Sequence, residues 1–152
     1  MNRIEISTKD FDLTEVQNWL KQGDTPCGAT VTFTGLVRDL EEGGLDGLYL
    51  EHYPGMTQNA LDNIIQQARQ RWSLGPVCIH HRIGWLTPGD NIVLVALASP
   101  HRAEAFEAAE FLMDYLKRDA PFWKKERING EEHWVEQKES DRQAAKRWQT
   151  ED

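Results

Sequence analysis

The sequence predicts an α+β domain in which antiparallel sheet elements pack against two to three helices. Three observations carry that prediction. Apolar-polar alternations of strand type recur along the chain, stretches between them carry apolar stripes at helical spacing, and the turn signals Tyr53-Pro54-Gly55, Thr87-Pro88-Gly89-Asp90 and Asn129-Gly130 reverse its direction. With 152 residues and 39% hydrophobic content, the chain suffices for one core and is short for two ordinary domains, so residues 1–152 are expected to form one domain.

The N-terminus, Met1 to Ile6, goes straight into a charged, alternating strand. Asp12 then has the place of an N-cap, with Glu15 at the third helical position and Phe11 able to staple onto Val16. Leu13, Val16 and Leu20 form that helix's stripe, and Gly23 stops it. From Gly28 to Leu36, Ala29, Val31 and Phe33 point inward and Thr30, Thr32 and Thr34 outward, as in a half-buried strand ending at Arg38. Leu45 to His52 reads as its partner strand. Thr57 is expected to cap a helix with Leu61, Ile64, Ile65, Ala68 and Trp72 on one face. Val77, Ile79, His81 and Ile83 alternate as another strand, and the wholly apolar run Ile92 to Ala98 reads as the central one. Ala105, Phe106, Ala109, Leu112, Met113 and Leu116 make the stripe of a third helix, closed at Pro121. Asn129-Gly130 predicts a tight hairpin between Glu126-Arg127-Ile128 and His133-Trp134-Val135, and Ser140 caps a short helix ending near Trp148.

Composition narrows the function. A formal net charge of −8 argues against duplex nucleic acid and anionic membrane, which both need an extended basic footprint. No apolar run is long enough to span a bilayer and the N-terminus has no signal-peptide pattern, so a cytoplasmic location is expected. Cys27 and Cys78 stand alone, and His52, His80, His81 and His133 have no metal-ligand spacing. Neither a metal nor another cofactor is expected. Serine elbow, P-loop, dinucleotide fingerprint and paired catalytic carboxylates are all missing, which leaves an anionic small molecule handled by basic residues.

Lys117 and Lys124 lie seven residues apart across the Pro121 corner, in Asp114-Tyr115-Leu116-Lys117-Arg118-Asp119-Ala120-Pro121-Phe122-Trp123-Lys124-Lys125-Glu126. The proline breaks the helix between them, so the bend can return two ammonium groups toward each other in a pocket walled by Phe122 and Trp123. Crowding and desolvation there would lower a lysine pKa into a range useful for acid, base or nucleophile chemistry. Two solvated surface lysines are the commoner outcome for any such pair. Ser99-Pro100 has the form of an N-cap followed by the first helical residue, which puts His101 and Arg102 in a first turn. Cations are disfavoured at that helix end, so their presence points to a bound phosphate; the alternative is Arg102 paired with Glu104 or Glu107. Arg38, after Phe33-Thr34-Gly35-Leu36-Val37, offers a guanidinium fork for an oxyanion, with Gly35 permitting close approach of another backbone.

Phe33-Thr34-Gly35-Leu36-Val37-Arg38, Leu50-Glu51-His52-Tyr53-Pro54-Gly55-Met56, Ser99-Pro100-His101-Arg102 with Ala105-Phe106, and Tyr115-Leu116-Lys117 with Ala120 to Glu126 together resemble the large, catalytic subunit family of molybdopterin synthase. The likeness runs in order to Ala144-Ala145-Lys146-Arg147-Trp148 and covers nearly the whole chain. It implies an α/β hammerhead-type fold, a homodimer at the centre of a heterotetramer, and a small ubiquitin-like sulfur-carrier subunit at each outer end. It also implies a sulfurtransferase of molybdenum cofactor biosynthesis that converts cyclic pyranopterin monophosphate to molybdopterin, taking both dithiolene sulfurs from the carrier's C-terminal thiocarboxylate. By the same resemblance Lys117 and Lys124 are the catalytic lysines, Arg38, His101 and Arg102 bind the phosphate, and Leu36, Val37, Lys125 and Glu126 border the pocket. Trp85 departs from the pattern, since relatives often carry an acidic residue there, and the loop Asp39 to Gly44 follows no fixed motif. Two other readings remain open on the residues: a non-catalytic phosphate-ligand or adaptor module, and a Schiff-base lyase using Lys124.

Overall fold

The computed structural model describes residues 1–22, 26–136 and 139–149, so Gly23, expected to end the first helix, lies outside the described residues. The described chain runs β1 (Asn2–Ser7), α1 (Leu13–Leu20), β2 (Ala29–Leu36), β3 (Leu45–His52), α2 (Met56–Arg71), β4 (Val77–Arg82), β5 (Gly84–Leu86), β6 (Asn91–Ser99), α3 (Arg102–Asp119), β7 (Phe122–Ile128), β8 (Glu131–Val135) and α4 (Glu139–Lys146). Two four-stranded sheets result, ordered β1-β4-β6-β2 and β5-β3-β7-β8. All pairings are antiparallel except β1 with β4, whose parallel register sets Asn2 beside Val77.

The first sheet is covered on both faces, which is why its inner strands are apolar at successive residues. Val77, Ile79, Val93, Val95 and Leu97 meet Leu61, Ile64 and Ile65 of α2 and Phe111 and Leu112 of α3 in the main core. The alternate residues Cys78, Leu94 and Ala96 meet Phe11, Val16 and Leu20 around α1. Phe11 thus sits in the core beside Val16, and the Asp12 carboxylate accepts hydrogen bonds from the N–H groups of Thr14 and Glu15, as the helix-start signature predicts. A smaller core of Val37, Leu45, Leu48, Leu50 and Leu86 lies under the second sheet. Asn129 and Gly130 both have positive φ and make the tight reversal between β7 and β8.

Several expectations are corrected. Leu45–His52 is not the partner of β2; among the described residues β2 is an edge strand paired only with β6, while β3 lies in the other sheet between β5 and β7. Phe33 and Phe106 fall on the predicted stripes but are exposed, as is Leu13 on α1, because no described element extends over them. Thr57 does not cap α2, whose N-cap is Gly55 at φ 84°; Ser140 lies inside α4. Gly35 leaves room for a side chain, not a backbone: an added Cβ would stand 2.8 Å from Val93 Cγ1. Of the six tryptophans, Trp148 is buried against Phe111, and Trp85, Trp123 and Trp134 are exposed.

Candidate functional site

Pro121 ends α3 with Ala120 as its extended C-cap, and β7 starts at the next residue. Lys117 therefore stands in the last turn of the helix and Lys124 near the start of the strand. The corner between them is tied to α2: the Thr57 hydroxyl donates to the Pro121 carbonyl at 2.9 Å and accepts from the Tyr53 N–H at 3.0 Å. Thr57 is fully buried, so this short bridge is shielded from water.

Two adjoining cavities, of about 280 and about 750 Å³, share Lys117, Lys124, Ile92 and Val135. The lysines thus stand where the two meet. Arg38, Leu36, Val37 and Glu126 line the larger cavity, with Phe33 and Glu41. The register shift between Gly35 and Leu36 skips one residue of β6, so that Leu36 pairs with Asn91; Val37 then turns into the small core and Arg38 stays exposed. The smaller cavity is bordered by His81, Phe122, Leu116 and Asp119 among others.

Strand alternation divides the remaining predicted residues. Phe122, Lys124 and Glu126 share one face of β7, and Trp123, Lys125 and Arg127 the other. Trp123 accordingly packs on Tyr53 and Trp134 instead of walling the pocket. Lys125 is likewise removed from it, its ammonium 4.5 Å from the Trp134 ring centroid and 3.3 Å from a Glu132 carboxylate oxygen. His101 and Arg102 are also apart. Ser99 is the last residue of β6, its hydroxyl donating to the Ser73 carbonyl, so the helix starts two residues later than predicted, with His101 as N-cap and Arg102 first in the helix. Fifteen residues of α3 separate Arg102 from Lys117, roughly 22 Å along the axis. Both basic residues are exposed and neither borders a cavity that holds the lysines.

His81 is the residue that sequence reasoning left as an ordinary core or surface histidine. Its ring stacks on Phe122, centroids 3.8 Å apart and planes within 18°. Burial pushes its pKa down to about 3, with the charges of Lys117 and Lys124 acting in the same direction against the bond to the Arg82 carbonyl. The alternation Val77, Ile79, His81 marked it as inward-facing, yet gave no sign that this column ends beneath the lysines. Among the described residues no group of three or more His, Cys, Asp or Glu could hold a metal ion. No described helix is long and apolar enough to cross a membrane.

The model of the MoaE protein family matches residues 6–119. The chain is 52% identical to the molybdopterin synthase catalytic subunit of Escherichia coli (strain K12) over 147 residues, covering 96% of this chain and 97% of that one. With the same-named protein of Yersinia pestis the identity is 54% over the same coverage. Among solved structures, molybdopterin cofactor biosynthesis protein E from Burkholderia multivorans ATCC 17616 superposes with a TM-score of 0.84 at 45% identity, covering 100% of this chain and 99% of that one.

Proposed function

The chain belongs to the MoaE protein family, and from that premise we propose that it acts as a sulfurtransferase on cyclic pyranopterin monophosphate, with Lys117 and Lys124 as its catalytic groups. The observation that carries this reading is the position of both lysines at the meeting point of two cavities. One cavity can hold the substrate and the other can admit a thin peptide tail, so that the two reactants converge on the amines. An ammonium there offsets negative charge on the acyl and thiolate intermediates, and a neutral amine accepts a proton. Arg38 on the larger cavity is suited to the substrate phosphate, and Glu126 beside it can order the lysines.

The relatives are named as subunits, which agrees with a second chain supplying the sulfur. Cys78 is a poor internal source, since it is buried and its thiol is pushed up to about 11 by desolvation. The partner we propose is a small ubiquitin-like carrier whose C-terminal Gly-Gly thiocarboxylate reaches the lysines through the smaller opening. His101 and Arg102 bind the phosphate from a second copy of this chain, because the length of α3 keeps them from their own lysines. The exposed apolar side chains Phe33, Leu36 and Phe106, on the neighbouring elements β2 and α3, fit a homodimer contact. We place the enzyme in the cytoplasm, where no disulfide framework is needed.

The test is incubation of the purified chain with cyclic pyranopterin monophosphate and a thiocarboxylated carrier, following molybdopterin by its fluorescent oxidation product. Turnover with the intact carrier and none with a carrier lacking its last two residues is the expected result. Equal product from both carriers would overturn the tail-delivered mechanism.

A further inference from the structure

Beneath the lysine pair lies a side chain without an assigned part in the reaction. His81 ends the inward column of β4, is 2% exposed, and borders the smaller cavity together with Lys117 and Lys124. Its Nδ1 is 2.8 Å from the Arg82 carbonyl oxygen. A carbonyl can only accept, so Nδ1 carries the proton, and in a neutral imidazole Nε2 is then a lone-pair acceptor. The stack on Phe122, the first residue of the strand that carries Lys124, fixes the ring plane.

The charges around this cavity explain why a neutral acceptor suits it. Lys117, Arg118 and Asp119 come from α3, Lys124 from β7, Glu136 from the residue after β8 and Asp141 from α4. Arg118 and Asp119 pair with each other. His80, next on β4, is turned to the opposite face, with its ring nitrogens near a Glu5 carboxylate oxygen and the Lys9 carbonyl. A third cation beneath two lysines would raise the repulsion between them, and a carboxylate would hold a lysine as a permanent ion pair.

We propose that His81 is a positioning residue for the lysine pair: its Nε2 accepts a hydrogen bond from the ammonium of Lys117 or Lys124 and fixes that amine at the cavity junction without adding charge. Burial and the two ammonium groups both keep the ring neutral, which agrees with this role. The consequence for turnover rests on the sulfur-transfer reading above; the consequence for the amines does not.

The experiment labels the full chain with sulfosuccinimidyl acetate across a pH series and reads acetylation of Lys117 and Lys124 by peptide mass spectrometry. An acceptor bonded to an ammonium favours its charged form, so His81→Phe, which keeps the stack but removes the acceptor, should lower the pH of half-labelling at one of the lysines by about one unit. His81→Gln, whose side-chain carbonyl can stand near the place of Nε2, should return it toward the wild-type value. Thermal unfolding checks that each variant is folded, and His81→Met serves as the apolar arm if His81→Phe is not. An unchanged half-labelling pH in the folded apolar variant, or the same shift in the glutamine and apolar variants, overturns the proposal. In parallel, the pH profile of kcat/KM should shift with the labelling curve. A wild-type chain that labels as expected but forms no molybdopterin with the carrier would instead sink the sulfur-transfer reading.

Discussion

Lys117 and Lys124 make the sharpest claim at the scale of single residues. Each replaced by alanine should leave the fold intact and lower the rate of molybdopterin formation by about 10²–10⁴-fold, the range of a general acid-base group. Normal turnover in both variants, measured with saturating carrier, would remove the corner from the mechanism. His81 adds a pH signature. Its folded pKa of about 3 lies below the unfolded value of 6.5, so the unfolded chain binds the extra proton first as the pH falls. The stability held by the neutral ring is complete above about 6.5 and is lost progressively down to about 3. His81→Gln should flatten the fall of urea midpoints between pH 6.5 and 4 relative to wild type; equal slopes would mean that the ring is not held neutral.

At the scale of elements, the corner between α3 and β7 depends on a third element for its shape. Thr57 in the first turn of α2 bridges Tyr53 and Pro121 from a fully buried position. Thr57→Val keeps the shape but takes the hydroxyl partner from the part-buried Pro121 carbonyl and Tyr53 N–H, which should cost about 1 kcal/mol of stability. It should also lower kcat, because the corner holds both lysines. Thr57→Ser should restore most of each, and chemical denaturation with steady-state assays on the two variants separates these outcomes. The outer face of β7 obeys different demands. There Arg127 sits 4.2 Å from the Trp85 ring centroid, so an aromatic at position 85 still engages a cation.

The arrangement of the whole molecule decides whether the site is complete. With Arg102 about one α3 length from Lys117, a site that uses both on one small substrate, as proposed, needs two copies of the chain. Lys117→Ala and Arg102→Ala should each be inactive alone, yet co-expressed they should regain about a quarter of wild-type activity, since half of the random dimers are mixed and each has one intact site. No recovery in purified mixed dimers would return Arg102 to a role outside the site. Stability at this scale rests on the main core. Phe111, fully buried and in ring contact with Trp72, Tyr115 and Trp148, should cost about 3–5 kcal/mol on replacement by alanine, read from urea unfolding.

Most elements, and the meeting of Lys117 with Lys124 across the Pro121 corner, were legible in the sequence. Local causes suffice for these: a carboxylate next to free N–H groups caps α1, Asn129-Gly130 tolerates positive φ, and Pro121 cannot continue a helix. The family resemblance added an expected substrate and an expected partner. Only the tertiary structure decided what depends on distant neighbours. Strand pairing is one case, since Leu45–His52 has the pattern of any half-covered strand and nothing local says that it joins β7 instead of β2. The two faces of β7 are another: alternation was readable, but which face meets the cavity follows from the packing of β7 over His81, and it removes Trp123 and Lys125 from the site. Thr57 and His81 were both visible as polar residues on apolar faces, and their meaning came from residues 64 positions away in one case and from both lysines in the other. Periodicity reports which side of an element is inward; only the assembled layers determine what waits there.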